Sequence, residues 1–175
     1  MVLGNKKVIY CKNCLYNSSH ALGITFDHNY VCSGCQIHLE KDRLNWTEKF
    51  NKLKKIVKNY RSKKNYYDCI VPVDGSHDSF FIVHVVKNIL KLNPLLVTYN
   101  KYFNTKLGIY NLSNLRIKFD SDILFQNVNP KKVKKITKYT LTEFGNIYWH
   151  CIAGQTVFPV QISIKYKIPL IIWGA

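Results

Sequence analysis

The sequence predicts an α/β protein with a parallel β-sheet, preceded by a small metal-binding ribbon. Short apolar runs alternate with longer segments of helical periodicity from residue 67 onward, a pattern typical of strand–helix–strand units. Two Cys-x-x-Cys pairs stand in the first 35 residues. With 47% hydrophobic residues, a chain of 175 residues can bury an ordinary core, so disorder is not the expected state.

The two Cys-x-x-Cys pairs predict a four-cysteine zinc ribbon. Each pair presents two thiolates from one tight turn, and together they complete a tetrahedral shell. Such a closed shell leaves no open coordination position, which favours a folding role over catalysis. Two disulfides or four unrelated buried cysteines are the alternatives. A short alternating strand is expected at 23–27, between the pairs. The predicted ligands are Cys11, Cys14, Cys32 and Cys35.

The predicted domain plan is a ribbon over 1–42, a linker helix within 43–66 and an α/β body over 67–175. Residues 45–63 have apolar side chains at helical spacing and lysines on the opposite face, which favours a helix that packs the ribbon onto the body. A basic helix that binds RNA is the alternative for this segment.

Strands and helices alternate through the predicted body. Pro94 and Pro169 stand before or at the start of a strand, where a missing N–H is tolerated. The predicted strands are 69–73, 95–99, 123–128 and 169–173. The predicted helices are 79–92, 106–119, 130–144 and 156–167.

The geometry of such a sheet places a nucleotide site at one edge. Right-handed crossovers bring the loops after the strands together at the carboxyl edge, where ligands of these sheets bind. The small-residue loop 74–79, followed by a helix start, is suited to an anion. We therefore expect this loop, Thr98 and Gly174 to meet at one crevice. Neither a Walker-type Gly-Lys-Ser/Thr motif nor Gly-x-Gly-x-x-Gly occurs.

The loop after the first strand resembles the pyrophosphate-binding loop of the PP-loop ATPases, Ser-Gly-Gly-x-Asp-Ser. This chain reads Asp-Gly-Ser-His-Asp-Ser at 74–79, so Asp74 replaces the serine and Ser76 replaces a glycine. A carboxylate beside the expected anion would repel it by ~1 to 4 kcal/mol at ~4 Å. The positions that this resemblance assigns to the nucleotide are Asp74, Gly75, Ser76, His77, Asp78 and Ser79.

The chain as a whole resembles the N-acetyl sugar amidotransferases of bacterial surface-polysaccharide biosynthesis, including lipopolysaccharide O-antigen. Besides the cysteine ribbon, the resemblance rests on six phrases. They are Gly-Ile-Thr-Phe-Asp at 23–27, Tyr-Asp-Cys-Ile-Val-Pro-Val at 67–73, Leu-Asn-Pro-Leu-Leu-Val-Thr at 92–98, Trp-His-Cys-Ile-Ala-Gly at 149–154, Phe-Pro-Val at 158–160 and Ile-Pro-Leu-Ile-Ile-Trp-Gly at 168–174.

This resemblance implies a PP-loop ATPase fold, of the adenine nucleotide alpha hydrolase-like type, and an ATP-dependent amidotransfer. The N-acetyl oxygen of a nucleotide-linked sugar is adenylylated, and ammonia from a glutaminase partner replaces it to give an acetamidino group. ATP and magnesium are the implied cofactors, with the loop, Thr98 and Gly174 at the nucleotide. The implied catalytic residues are Asp78, Ser79, His150 and Cys151.

Three further expectations complete the prediction. The altered loop predicts weakened or lost activity, and the chain reads as the front half of such an enzyme. Free cysteines and the lack of a signal segment or membrane span predict a cytoplasmic protein. The net charge is +16, yet lysines are spread through the chain, so nucleic acid is not expected as a partner. A tRNA-thiolating PP-loop protein and a non-catalytic, zinc-stabilised interaction module are the alternative functions.

Overall fold

Residues 7–21, 23–63 and 66–174 are described by the computed structural model of the protein. The chain divides into two units, Met1–Lys52 and Leu53–Ala175. Along the described ranges, no helix combines the length and the apolar character that crossing a bilayer requires.

The described part of the first unit consists of short turns, helix α1 (Ser33–Asp42) and the beginning of a second helix, α2 (Trp46–Lys58). Two isolated antiparallel bridges join Tyr10 to Asn17 and Phe26 to Cys32. The strand expected at 23–27 is therefore wrong, because only Phe26 pairs and Gly23 has a left-handed φ of +68°. Helix α1 was not predicted; none of its side chains is buried, so no apolar periodicity marks it.

Helix α2 (Trp46–Lys58) follows. The side chain of Asn45 accepts a hydrogen bond from the Glu48 N–H at 3.1 Å, as an N-cap residue does. The predicted helix 45–63 is too long at its end, where the N–H of Tyr60 turns back to the Val57 carbonyl at 3.1 Å. Such three-residue bonds tighten and close a last turn. Two residues of the predicted linker, 64 and 65, lie outside the described residues.

Three parallel strands form the sheet of the second unit, in the order β1-β2-β3. They are β1 (Cys69–Pro72), β2 (Pro94–Tyr99) and β3 (Ile123–Gln126). The predicted α/β class with a Rossmann-like parallel sheet is confirmed. The fourth predicted strand, 169–173, is wrong as a regular strand. It makes one parallel bridge, in which Ile70 donates to Leu170 and accepts from Ile172, both at 2.9 Å.

Four helices connect and cover these strands: α3 (His77–His84), α4 (Lys106–Lys118), α5 (Pro130–Phe144) and α6 (Trp149–Tyr166). The predicted helix 79–92 changes after α3 into a π-turn, Val85–Ile89, where the Leu90 N–H donates to the Val85 carbonyl. The predicted helix 156–167 is wrong at its start. Helix α6 begins at Trp149 and includes Pro159, because packing against the sheet overrides the weak helix preference of its glycine and proline.

The core lies on both faces of the sheet. Helix α6 covers one face, where Ile70 and Val97 of the strands pack with Phe158 and Ile162 of the helix. Residues that alternate with these along the strands, such as Val71, are equally buried, and alternate side chains point to opposite faces. Strands buried on both faces are typical of α/β sheets.

A carboxylate fastens the amino end of β1 to its neighbours. Asp68 is buried, and its two oxygens accept the backbone N–H groups of Ser62 at 2.6 Å and Asn93 at 2.7 Å. The Asp68 N–H donates in turn to the Asn93 carbonyl at 2.8 Å. This clamp sets the register in which β1 meets β2.

We expect Asp68→Ala to lower the free energy of unfolding by about 1 to 3 kcal/mol, because two part-buried backbone N–H groups lose their acceptor. Asp68→Asn keeps one acceptor oxygen, so its free energy of unfolding should lie between those of Asp68→Ala and the parent. Chemical denaturation measures both, with Glu143→Ala on the exposed part of α5 as the control within about 0.5 kcal/mol of the parent. Equal stability of Asp68→Ala and the parent would contradict the clamp.

Candidate functional site

The loop 74–79 lies at the carboxyl edge of the sheet, where β1 gives way to α3. Strand β1 has β2 on one side and the Ile171 segment on the other. Strands β2 and β3 are therefore added on one side of β1, and the last segment is added on the opposite side. Ligands of open α/β sheets bind at this switch point. Gly75 has a φ of +83°, and a Cβ on it would lie 3.0 Å from the Leu112 nitrogen of α4. Only glycine fits there.

The carboxylate of Asp74 occupies the middle of the loop. Its Oδ1 accepts the backbone N–H of Ser76 at 3.0 Å and the hydroxyl of Ser79 at 2.9 Å. The Asp74 N–H donates to Ser79 Oγ at 3.0 Å, and Lys101 Nζ lies 3.2 Å from Asp74 Oδ2. Asp74 was expected to repel an anion at this loop, and its carboxylate is hydrogen-bonded within the loop itself. The Asp74 carboxylate therefore uses the hydrogen-bond donors of Ser76 and Ser79 that a bound anion would otherwise use.

These contacts hold Asp74 in its charged form. Partial burial raises the pKa of the Asp74 carboxyl, but the hydrogen bonds from Ser76 and Ser79 and the charge of Lys101 lower it further, so that it lies below its usual value. An incoming phosphate would meet a fixed negative charge and donors that are already used.

A cavity of about 240 Å³ opens beside the loop at the switch point. Both predicted strand ends, Thr98 and Gly174, line it. The loop residues that line it are Asp74, Ser76, Asp78 and Ser79, and Gln155 and Trp173 complete the lining. The expected crevice is therefore present, and its role in nucleotide binding stays a prediction. His77 points elsewhere, since its side chain is 92% exposed and contacts Asp78 at 3.2 Å.

A second, larger cavity of about 560 Å³ adjoins the first. It lies between the end of β2 and helix α4, and Asp74 lines both cavities. Lys101 and Arg116 bring positive charge to it, while Phe103 and Phe125 bring aromatic surface. The sequence reasoning missed Lys101 and Arg116; a basic residue just after a strand end was the available signal for the first of them.

His150 and Cys151 lie side by side at the start of α6, with Cys151 Sγ 3.4 Å from His150 Nε2. Burial lowers the pKa of His150, and burial raises the pKa of the Cys151 thiol against a smaller lowering by Lys101. Near pH 7 the pair is thus a neutral imidazole and a neutral thiol, not an activated thiolate. The catalytic role that the resemblance implies for both stays a prediction.

Tyr99 connects this pair to the end of β2. Its hydroxyl lies 3.5 Å from His150 Nδ1, and a Cβ on Gly154 would come within 2.3 Å of its ring. Gly154 therefore lets the Tyr99 ring lie directly against α6. The glycine in the phrase Trp-His-Cys-Ile-Ala-Gly was the signal in the sequence for this close approach.

The four cysteines of the first unit form a compact cluster. Their sulfurs all lie within 4.8 Å of one another, with Cys11 and Cys35 at 3.9 Å and Cys14 and Cys32 at 3.6 Å. Four thiolates around one ion with bonds of ~2.3 Å lie ~3.8 Å apart. All four are free cysteines, so the disulfide alternative is wrong. The cluster can hold a metal ion.

The backbone around the cluster supports a thiolate at Cys11. Burial raises the pKa of Cys11, but the N–H groups of Cys32 and Asn13 donate to its sulfur at 3.3 Å and 3.4 Å and bring the pKa to about 6. Hydrogen bonding with Cys14 and burial raise the pKa of Cys35 to about 12, and the Cys35 N–H donates to Cys32 Sγ at 3.4 Å. This donor set fits zinc, which four thiolates bind tetrahedrally.

No family model matches this sequence. Among curated proteins, the chain is 26% identical over 121 residues to the uncharacterised protein MJ1599 of Methanocaldococcus jannaschii, which is 67% of this chain and 42% of that protein. The match therefore spans less than half the length of that relative.

Two solved structures are similar to this chain. An NH3-dependent NAD synthetase from Campylobacter jejuni matches with a TM-score of 0.46 and 11% identity, over 69% of this chain and 53% of that one. The U34-tRNA thiolase NcsA from Methanococcus maripaludis, solved with its [4Fe-4S] cluster, matches with a TM-score of 0.48 and 16% identity, over 95% and 54%. Likenesses of this size carry no weight for function.

We expect the purified protein to hold one zinc ion per chain, and Cys32→Ser to lose it because three thiolates no longer close the shell. Elemental analysis of the purified protein measures the metal. Cys151→Ala, which removes a thiol outside the cluster, is the matched control and should keep its zinc. Iron in place of zinc, or equal zinc in the parent and Cys32→Ser, would contradict the assignment.

Proposed function

We propose that the chain is the ATP-binding part of an N-acetyl sugar amidotransferase of lipopolysaccharide O-antigen or related surface-polysaccharide biosynthesis. The observation that carries the proposal is the loop 74–79, which opens into a cavity at the switch point of a parallel sheet. The specific reaction comes from the resemblance of the sequence to the N-acetyl sugar amidotransferases. The glutaminase partner, the nucleotide-linked sugar and a cytoplasmic location belong to this proposal.

The reaction has two steps. The N-acetyl oxygen of the sugar attacks the α-phosphorus of ATP, and pyrophosphate leaves. Ammonia then adds to the activated carbon, AMP leaves with the former acetyl oxygen, and loss of a proton gives the acetamidino group. Such chemistry asks the protein for orientation and charge stabilisation more than for acid or base.

The loop residues have defined tasks in this proposal. Ser79 is buried at the start of α3, where its hydroxyl and the Ser76 N–H would donate to the pyrophosphate once Asp74 releases them. The amino end of α3 adds its favourable dipole. Asp78 lines the cavity with an exposed carboxylate and would hold magnesium, which neutralises the triphosphate. Zinc in the cysteine cluster would stabilise the first unit only.

A non-catalytic interaction module is the second candidate, and one observation favours it. The Asp74 carboxylate already uses the donors of Ser76 and Ser79, so the loop is stable without a nucleotide. In that case the sheet and the metal-stabilised ribbon would serve as a scaffold for a partner subunit.

Thiolation of tRNA finds no support among the described cysteines outside the cluster. Cys69 begins β1 at the amino edge of the sheet, and burial, with Asp68 nearby, raises its pKa to about 12. Cys151 lies at the other edge, 3.9 Å from the Lys101 carbonyl. The two thiols therefore do not form a pair beside the loop.

We expect the double variant Asp74→Ser with Ser76→Gly to bind ATP at least about five-fold more tightly than the parent in the presence of magnesium. Removing a charge that repels by ~1 to 4 kcal/mol accounts for this gain. Isothermal titration calorimetry measures the affinity.

Two controls separate the causes of any gain. Asp74→Asn removes the charge but keeps an acceptor for Ser76, and should give part of the gain. Asp42→Ser removes a negative charge from α1 and should leave the affinity unchanged. If neither loop variant binds ATP better than the parent, the nucleotide role of this loop is wrong, and the scaffold function is favoured.

A further inference from the structure

Helix α5 carries an exposed basic surface, which we call the α5 lysine face. Three of its lysines, Lys131, Lys135 and Lys138, follow one another at helical spacing and therefore point to the same side. Two more flank this row, and all five are exposed. The α5 lysine face consists of Lys131, Lys132, Lys134, Lys135 and Lys138.

These charges are placed unfavourably for the helix itself. Lysines stand in the first two turns, at the positive end of the helix dipole, while no acidic residue occupies the first turn and no basic residue occupies the last. Like charges three and four residues apart also repel. Among the described residues, no ion pair involves any lysine of this face. The fold alone gives no reason for this arrangement.

The opposite side of α5 is fixed to the body of the protein. Val133 and Thr140 are buried, and α5 contacts α6. The lysine face is thus the solvent-exposed side of a helix that is packed on its other side. Because the apolar side of the helix is already used, this helix cannot insert into a bilayer as a free amphipathic helix does.

Exposed aromatic side chains continue from the lysine face toward α6. Tyr139 and Phe144 are 60% and 67% exposed, and their rings lie 6.3 Å apart. Tyr148 and Trp149, at the turn after α5, are also exposed. Tyrosine and tryptophan are enriched where proteins meet the headgroup region of a bilayer.

We propose that the α5 lysine face binds the surface of an anionic lipid bilayer, with the aromatic side chains at its end resting among the headgroups. Exposed lysines that follow one another along one side of a helix can approach a flat surface together. Lysines near an anionic leaflet contribute about 1 kcal/mol each, and five of them hold a protein reversibly without insertion. This surface is independent of the proposed ATP site.

The shape argues against a nucleic acid as the occupant. Single strands are generally held in grooves that track the backbone and stack bases on aromatic platforms, and the major groove of A-form RNA is too narrow for side chains to read. The lysines of the α5 lysine face line neither of the two cavities described above, and the aromatic residues follow the lysines along the chain.

Sedimentation with vesicles of phosphatidylglycerol and phosphatidylcholine tests the proposal on the full chain. We expect binding to the mixed vesicles, none to pure phosphatidylcholine, and loss of binding when sodium chloride rises to ~0.5 M, where screening is nearly complete. The variant Lys131→Gln, Lys134→Gln, Lys135→Gln, Lys138→Gln should reduce the partition coefficient at least about 100-fold.

A matched control removes the same charge from α2. Lys49, Lys52, Lys55 and Lys58 are exposed lysines there, and their replacement by glutamine should leave vesicle binding within about three-fold of the parent. The corresponding four lysine-to-arginine changes in α5 keep the charge and should keep the binding, which shows that binding depends on charge at these positions.

Three results would overturn the proposal. The first is the absence of binding to the anionic vesicles, and the second is an equal loss from the α5 and α2 variants, which would make the effect one of overall charge. The third concerns a single-stranded RNA oligonucleotide, to which binding is measured in parallel. It is a loss of RNA binding by the α5 lysine-to-glutamine variant that exceeds the loss of its vesicle binding. That result would assign the face to a nucleic acid.

Discussion

Strand β1 is the element on which the rest of the second unit depends. It is buried on both faces and hydrogen-bonded on both edges, to β2 and to the Ile171 segment. A carboxylate stands at each end: Asp68 accepts backbone N–H groups at the amino end, and Asp74 does so at the carboxyl end. Because both ends are fixed, the loop after the strand has one geometry.

The Asp74 carboxylate gives that loop an unusual state. A loop suited to an anion has empty donors that must be satisfied by solvent or ligand. Here the chain supplies the anion, with Ser76, Ser79 and Lys101 as its partners. These contacts stabilise the loop and leave fewer of its donors free for another anion.

The two units depend on different forces. The second is held by apolar burial across a sheet, whereas none of the side chains of α1 in the first unit is buried. A metal ion in the four-cysteine cluster would replace the missing core, since binding free energy becomes folding free energy in small metal sites. The sulfur–sulfur distances expected in a tetrahedral thiolate site match the distances between the sulfurs of this cluster.

The sequence alone determined the cysteine cluster, the parallel sheet and the crevice at Thr98 and Gly174, because ligand spacing, strand-length apolar runs and strand ends are local signals. Only the tertiary structure decided three other features. Packing against the sheet extends α6 through Pro159 to Trp149, and one edge contact reduces the last predicted strand to a bridge. The fold brings Lys101 to Asp74, a contact between distant residues that no local pattern encodes.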